Sequence, residues 1–277
     1  MLRDEVRIGL IGLGTIGKSL AQAIATNMAG NATLEAVLVR PANLDPARLF
    51  LADLGLDPVL SSDPEEFFEA GTTLVVEAAG QEAVRLYGSE ALMTRRDLLV
   101  CATGAFTDDT LFEGLSELAR QYGRRLIIPS GAIGGIDALT SAALVGLDEV
   151  SVVTRKPPIA WTGTVAEEIV DLAGITTDPV CLFEGPAREA VRKFPQNVNV
   201  AATLACAGIG LDRTTVRIYA DPTINRNFHE IHFSGRSGSF KIEVCGSPSP
   251  DNPRTSALTG YSVIKTIRNL TSPVIIG

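Results

Sequence analysis

The chain has 277 residues, 45% hydrophobic and 20% charged, with a formal net charge of −8. That length allows one large or two modest domains with a substantial core, and the negative balance argues against nucleic acid or an anionic membrane surface as partner. It leaves open an anionic small-molecule substrate, because a few local donors outweigh a diffuse field that salt screens within about 10 Å. No apolar stretch has the length to span a bilayer, and Met-Leu-Arg-Asp-Glu leads straight into a strand without a signal-peptide pattern, so a cytoplasmic protein is expected. Cys101, Cys181, Cys206 and Cys245 lie far apart, with no C-x-x-C pair and no histidine in metal-ligand spacing. They are expected to be buried small apolar residues, and neither a disulfide frame nor a metal site is implied.

Residues 8–17 read Ile-Gly-Leu-Ile-Gly-Leu-Gly-Thr-Ile-Gly. A strand (Val6–Ile11) must turn sharply into a helix (Ile16–Met28), and Gly12, Gly14 and Gly17 suit the turn, the approach of pyrophosphate to bare backbone, and close helix–strand packing. With Thr15 and Ile16 at the helix start, this segment is the expected dinucleotide cradle, its phosphates on the helix N-terminus. The plain alternative is a Gly-rich turn without a ligand, but the flanking strand, the amphipathic helix and a second strand (Leu34–Val39) favour the cradle. That second strand ends in Arg40 where an acidic reader of the ribose 2′-hydroxyl is usual. A guanidinium suits a 2′-phosphate, so NADP, or both NADP and NAD, are expected, unless Asp45 or another loop residue meets the ribose.

Apolar runs then alternate with helical patterns: strand Thr73–Ala78, helix Ala83–Thr94, strand Leu98–Ala102, helix Asp109–Tyr122 and strand Arg125–Pro129. This is the rhythm of a doubly wound parallel sheet with helices on both faces. Ligands of such sheets lie beyond the carboxyl ends of the strands, so the loops Glu77-Ala78-Ala79-Gly80 and Cys101-Ala102-Thr103-Gly104 are expected to line the cofactor.

From Ser130 the pattern changes to helix Ile136–Val145, strand Glu149–Arg155, helices Val165–Leu172 and Val198–Cys206, and strands Thr214–Ala220, Phe228–Phe233 and Phe240–Cys245. Strands expected to pair antiparallel indicate an α+β substrate domain. The last helix, Ser256–Asn269, carries Leu258, Tyr261, Ile264 and Ile267 at helical spacing and is expected to return to the first domain. The resulting division is 1–130, with 253–277 packing back on it, and 131–252.

The two histidines share one strand. Alternation puts His229 with Ile231 and Phe233, and His232 with Glu230, so one imidazole is covered and the other faces outward. On these facts His229 is either a satisfied core residue or, beside a nicotinamide, a proton partner. In Lys193-Phe-Pro-Gln-Asn197-Val-Asn199, Asn197 reads as an N-cap, whereas Asn199 lies two positions inside and suits a hydrogen bond to a nicotinamide amide or a substrate carboxylate. Asp221-Pro-Thr-Ile-Asn-Arg-Asn227 reads as a polar turn. No G-x-S-x-G elbow or Walker loop is present, which argues against hydrolase and kinase readings.

The chain resembles the L-aspartate dehydrogenase family in Gly12-Leu-Gly-Thr-Ile-Gly17, Pro129-Ser-Gly-Ala-Ile-Gly-Gly135, Lys156-Pro-Pro158, Pro195-Gln-Asn-Val-Asn-Val-Ala-Ala-Thr203, Ala220-Asp-Pro222, Asn227-Phe-His-Glu-Ile231 and Asn252-Pro-Arg-Thr-Ser256. The glycine motif is generic, and the asparagine-rich helix start followed by Asn-x-His-x-Ile is specific. The resemblance implies an N-terminal Rossmann domain, a C-terminal α+β domain like that of dihydrodipicolinate reductase, and a homodimer. It puts the active-site histidine at His229 and cofactor contacts at Ala132 and Asn199. It implies reversible oxidation of L-aspartate to iminosuccinate, then oxaloacetate and ammonia, with a place in pyridine-nucleotide biosynthesis. For the two substrate carboxylates, Lys156, Arg226, Thr255 and Ser256 are the candidate donors. The alternatives are another reductase of this fold, such as dihydrodipicolinate reductase or homoserine dehydrogenase, and a nicotinamide-nucleotide sensor without turnover. A dihydrodipicolinate reductase usually has an adjacent histidine pair, whereas Glu230-Ile231 separates the two here.

Arg40 gives a direct test of nucleotide choice. Arg40→Asp is expected to lower kcat/KM with NADP by about 1–3 kcal/mol more than with NAD. Equal losses with both nucleotides would show that Arg40 does not read the 2′-phosphate.

Overall fold

The computed structural model describes residues 5–195, 199–249 and 252–276, with the backbone alone at 248 and 252–255. The chain divides into two compact units, Met1–Pro129 with Gly260–Gly277, and Ser130–Thr259.

In the first unit the chain runs β1 (Val6–Ile11), α1 (Thr15–Ala25), β2 (Ala32–Leu38), α2 (Leu44–Asp53), β3 (Val59–Ser61), α3 (Pro64–Glu69), β4 (Leu74–Glu77), α4 (Gln81–Met93), β5 (Asp97–Val100), α5 (Asp109–Gln121) and β6 (Leu126–Ile127). All six strands are parallel, in the order β3-β2-β1-β4-β5-β6. This is the doubly wound Rossmann arrangement, whose strand order reverses between β1 and β4. Every residue of β4 and β5 is buried, so these strands read as short continuous apolar runs rather than alternating ones.

The sequence reading passes from Arg40 to Thr73 without an element, and the structure places α2, β3 and α3 there. Their signal is weak for a physical reason: α2 buries only Ala47 and Leu51, and β3 has three residues. Asp63 caps α3 by accepting from the Glu65 N–H, and Asp108 caps α5 by accepting from the Leu111 N–H.

The second unit contains α6 (Ile136–Ala143), β7 (Leu147–Lys156), α7 (Ala166–Ile169), β8 (Val180–Pro186), α8 (Ala187–Lys193), α9 (Asn199–Ala207), β9 (Thr215–Ala220), β10 (Asn227–Gly235), β11 (Gly238–Gly246), β12 (Pro248–Ser249) and β13 (Asn252–Ser256). Five strands form one sheet in the order β11-β10-β7-β9-β8, and β12 pairs with β13. The expectation of antiparallel pairing needs correction at β7 and β9, which run parallel; the antiparallel neighbours are β10 with β7 and β11, and β8 with β9. The long stretch between β7 and β9, holding β8, α8 and α9, supplies the crossover that a parallel pair requires. One face of the sheet is covered, with Val150, Val152, Val216, Ile218, Ile231 and Phe233 joining α8 and α9 residues in one core around Trp161.

The expected helix Val165–Leu172 is shorter. It stops at Ile169 because Val170 is extended (φ −145°), and Asp171 then caps a separate 3-10 turn, Leu172–Gly174. The cysteines depart from expectation: Cys101 and Cys206 are half-buried, and Cys181 and Cys245 are exposed because both lie on the edge strands β8 and β11. Asn197 and Val198 lie outside the described residues.

The last helix, α10 (Ala257–Thr271), starts one residue later than expected, Ser256 being the end of β13. Its buried face is Gly260, Val263, Ile264 and Ile267; Leu258 and Tyr261 are exposed. Val263, Ile264 and Ile267 share the first unit's core with Leu20, Ala23 and Ile24 of α1. Gly260 permits this packing, since a Cβ there would lie 3.2 Å from Ser19 Cβ.

Two glycines of the first turn should separate folding from ligand binding. A Cβ at Gly17 would lie 2.2 Å from the Gly12 carbonyl oxygen, whereas one at Gly14 meets nothing within 4 Å. Gly17→Ala is therefore expected to lower stability by about 1–3 kcal/mol. Gly14→Val should leave the melting temperature near wild type and abolish nucleotide binding measured by calorimetry. Unchanged binding in a folded Gly14→Val protein would remove the cradle reading.

Candidate active site

The carboxyl end of the parallel sheet carries the first group of candidate residues. Gly12 follows β1 with φ +93°, and a Cβ there would strike Ala79 Cβ at 2.7 Å, so this position needs glycine for both conformation and space. Gly14 is the N-cap of α1 and has no side-chain capping bond; the first turn holds no acidic residue. With open space above Gly14 and the helix N–H groups behind it, the residues present fit a phosphate group. Thr15 and Ile16 open the helix. Arg40 is exposed just beyond β2, where the backbone enters the 3-10 turn Pro41–Asn43.

Ala79 and Gly80 form the loop after β4, and a single buried side chain organises them. Glu77, the last residue of β4, accepts from the Ala79 and Gly80 N–H groups at 2.8 and 2.6 Å through Oε1. Through Oε2 it accepts from the Ala102 N–H at 3.0 Å, in the loop after β5. Burial pushes its pKa up, against the pull of these backbone hydrogen bonds.

In the second unit the covered face of the sheet is apolar along most of its length and becomes polar at one end. On β7, Val150 and Val152 give way to Thr154 and Lys156; on β10, Phe233 and Ile231 give way to His229 and Asn227, all of them buried. Two-residue alternation dictates this shared face, and the antiparallel register pairs His229 with Thr154. Thr154 Oγ1 lies 3.0 Å from His229 Nδ1, which fixes the ring and leaves Nε2 for a second partner. Lys156 Nζ sits 5.1 Å from the centre of the Trp161 ring. Trp161 is itself fixed by its indole N–H donating to the Tyr219 carbonyl at 3.2 Å and by edge packing on Phe194.

Burial, and after it the charge of Lys156, drives the His229 pKa down to about 3. Burial drives Lys156 down to about 8. The imidazole is thus neutral at ordinary pH, and the amine changes charge within reach of it. His232 is on the opposite face, its Nε2 3.1 Å from Glu230 Oε1, with Lys241 on the same carboxylate.

The remaining candidates are distributed unevenly. Ala132 is half-buried in the loop before α6, and Asn199 begins α9. Ser256 is buried, and its hydroxyl has no hydrogen-bond partner among the described residues. Arg226 lines an open pocket with Phe228 and Cys245, on the outward side of β10 and away from His229. The side chain of Thr255 lies outside the described residues.

Comparison with known proteins agrees with this layout. Residues 12–129 match the family model "Homoserine dehydrogenase, NAD binding domain", and residues 137–270 match "Aspartate dehydrogenase, C-terminal". An L-aspartate dehydrogenase of Methanosarcina acetivorans is 39% identical over 274 residues, covering 98% of this chain and 99% of the relative. The chain belongs to the L-aspartate dehydrogenase family. The crystal structure of aspartate dehydrogenase from Thermotoga maritima superposes with a TM-score of 0.75 at 28% identity, covering 99% of this chain and 100% of that one. Dihydrodipicolinate reductase from Paenisporosarcina shares the fold at 15% identity, with a TM-score of 0.54 over 96% of this chain and 95% of its own.

Within this member of the L-aspartate dehydrogenase family, two polar residues next to the candidates escape sequence reading. Thr154 is inconspicuous in a β-branched run, and only the strand register reveals that it meets His229. Glu77 stands in a loop expected to line the cofactor, yet its function as an acceptor for two loops depends on contacts 25 residues apart in sequence.

The depressed histidine has a consequence for acid stability. Between pH 6.5 and about 3 the unfolded chain binds a proton at residue 229 and the folded chain does not. Stability contributed here therefore falls as pH falls through that window, by about 1.4 kcal/mol per unit. His229→Gln should show a flatter loss of stability than wild type between pH 6 and 4 (roughly the middle of that window) in denaturant titrations. Parallel losses would mean that the imidazole is not buried in its neutral form.

Proposed function

We propose that this chain catalyses the reversible NAD(P)-dependent oxidative deamination of L-aspartate, giving iminosuccinate that water converts to oxaloacetate and ammonia. The observation that carries the reading is the pairing of a buried neutral imidazole, His229, with a buried amine, Lys156, at the polar end of an otherwise apolar sheet face. A nucleotide cradle on the first unit and membership of the family support it.

The bound nicotinamide supplies a hydride acceptor for the substrate Cα–H, which has to be held within about 3–3.5 Å of it. Gly12, Gly14, Thr15, Ile16 and Gly17 hold the pyrophosphate, with Ala79 and Gly80 beside them; by family resemblance Ala132 and Asn199 are further cofactor contacts. Arg40 admits the 2′-phosphate of NADP and leaves NAD acceptable. The nucleotide belongs to the unit of 1–129 with 260–277, and substrate binding and dimerisation to 130–259, which holds Ser256.

Substrate nitrogen must be neutral before hydride leaves, so a proton has to be removed from the ammonium group. His229 Nε2 faces this nitrogen, accepts or passes on its proton, and later directs water to the imine carbon, while Thr154 holds the ring still. Protonated Lys156 pairs with a substrate carboxylate in a site where burial strengthens the attraction. Ser256, with its unpartnered buried hydroxyl beside the N-terminus of α10, donates to the second carboxylate. A homodimer working in the cytoplasm completes the reading, carried over from the family resemblance; among the described residues no helix is long and apolar enough to cross a membrane.

Absorbance at 340 nm with NAD or NADP and a panel of amino acids tests the activity, with L-aspartate expected to give the largest rate. His229→Ala should lower kcat by about two to four orders of magnitude with nucleotide affinity near wild type, and His232→Ala should change little. A loss of melting temperature at His229 without a loss of rate would show a packing residue and refute the assigned role. A flat trace with every amino acid, alongside tight nucleotide binding, would favour a sensor.

A further inference from the structure

Glu77 invites a question that stability alone does not answer. Its side chain is almost wholly buried, and taking a carboxylate out of water costs several kcal/mol unless strong hydrogen bonds offset it. Of its three N–H donors, only that of Ala102 is deeply buried; the Ala79 and Gly80 bonds are part-buried, and Ala79 itself is exposed, so water is an available partner there. A carboxylate retained for donors that water is able to serve does more than satisfy buried amides. It joins the loop after β4 to the loop after β5, across 25 residues of sequence, through one rigid group.

The position of these loops says what the joining is for. Strand order reverses between β1 and β4, and a dinucleotide lies across that point with one half on each side. Arg40, beyond β2, stands on the side of the adenine ribose, and the turn at Gly12–Gly17 takes the pyrophosphate. The loops after β4 and β5 are therefore on the nicotinamide side. The oxidised ring is cationic and the reduced ring is neutral, so the buried Glu77 carboxyl, whose N–H donors favour its ionised form against burial, discriminates between them.

Resting on the nucleotide reading above, we propose that Glu77 is a positioning residue for the nicotinamide half: it locks both crevice loops in one shape before nucleotide arrives and favours the oxidised form over the reduced one. Preorganisation of this kind strengthens binding because the loops need no ordering when the ligand enters. No contact between Glu77 and the nucleotide is required, since Ala79 and Gly80 present the organised surface and the buried Ala102 anchors it from beneath.

Glu77→Gln tests this with nearly unchanged volume, because the amide keeps one acceptor oxygen and turns an NH2 group toward one of the loops. Binding of NAD+, NADH and ADP-ribose would be measured by calorimetry. The expected result is a roughly tenfold or greater weakening of NAD+, a smaller weakening of NADH, and ADP-ribose within about twofold of wild type, since it lacks the nicotinamide. Equal weakening of NAD+ and ADP-ribose, or no weakening of either, would overturn the proposal. Should the variant fail to fold, hydrogen exchange on the nucleotide-free wild-type protein decides: slow exchange at the exposed-side amides of Ala79 and Gly80 supports the lock, and exchange at the rate of an unprotected loop removes it. Failure of the wild-type protein to bind any of the three ligands would instead overturn the nucleotide reading itself.

Discussion

Helix α1 approaches β1 so closely that residue 17 has no room for a single methyl group, because the Gly12 carbonyl occupies the place a Cβ would take. The rest of the nucleotide-binding unit depends on that approach. It directs the uncapped N-terminus of α1 over the carboxyl edge of the sheet, at the reversal of strand order between β1 and β4. It also sets the three glycines apart: Gly12 has a left-handed conformation and a close neighbour, Gly17 has backbone against it, and Gly14 faces open space. A turn that merely reversed the chain would not need all three properties within six residues. The space above Gly14, in front of the uncapped N-terminus of α1, fits a phosphate group.

The second unit works through a different constraint, the exclusion of water from two basic groups. Neutral imidazole tolerates burial well, and a lysine does so only by becoming easier to deprotonate. Placing them on adjacent strands of one covered face brings the Lys156 charge near the imidazole and lowers the histidine further. The environment therefore gives the two bases separate duties. Burial keeps the imidazole neutral, and so free to accept a proton, with Thr154 orienting it, while the amine has a pKa of about 8 and gains or loses charge near neutral pH. A negative charge brought next to Lys156 would favour its protonated form.

Much of this was legible in the sequence, for reasons that differ by region. The parallel-sheet strands and their helices announce themselves because burial on both faces demands short continuous apolar runs, as in Leu-Val-Val-Glu of β4 and Asp-Leu-Leu-Val of β5. Alternation along Asn227–Gly235 correctly separates the faces of His229 and His232. Elements with few buried residues, such as α2, and the three-residue strand β3 leave little periodicity to detect. The parallel pairing of β7 with β9 is a long-range property, which no local pattern encodes. The partners of candidate residues are hidden for the same reason: Thr154 is 75 residues from His229, and Ala102 is 25 from Glu77. Residue type marks where chemistry is possible, whereas register and burial set its protonation.

The last helix also bears on how the protein is made. Val263, Ile264 and Ile267 of α10 complete a core otherwise built from residues before position 130, among them Leu20, Ala23 and Ile24. During synthesis, nearly the whole chain must leave the ribosome between the first contributor to that core, Val6, and the last, Ile267. The substrate unit, Ser130–Thr259, is a continuous stretch and has its full sequence available first. The nucleotide unit begins earlier yet finishes later, holding part of α1 without its covering helix in the meantime. Vectorial synthesis thus gives the chain an order of completion opposite to its order of appearance, since the core of the first unit closes only once α10 has been made.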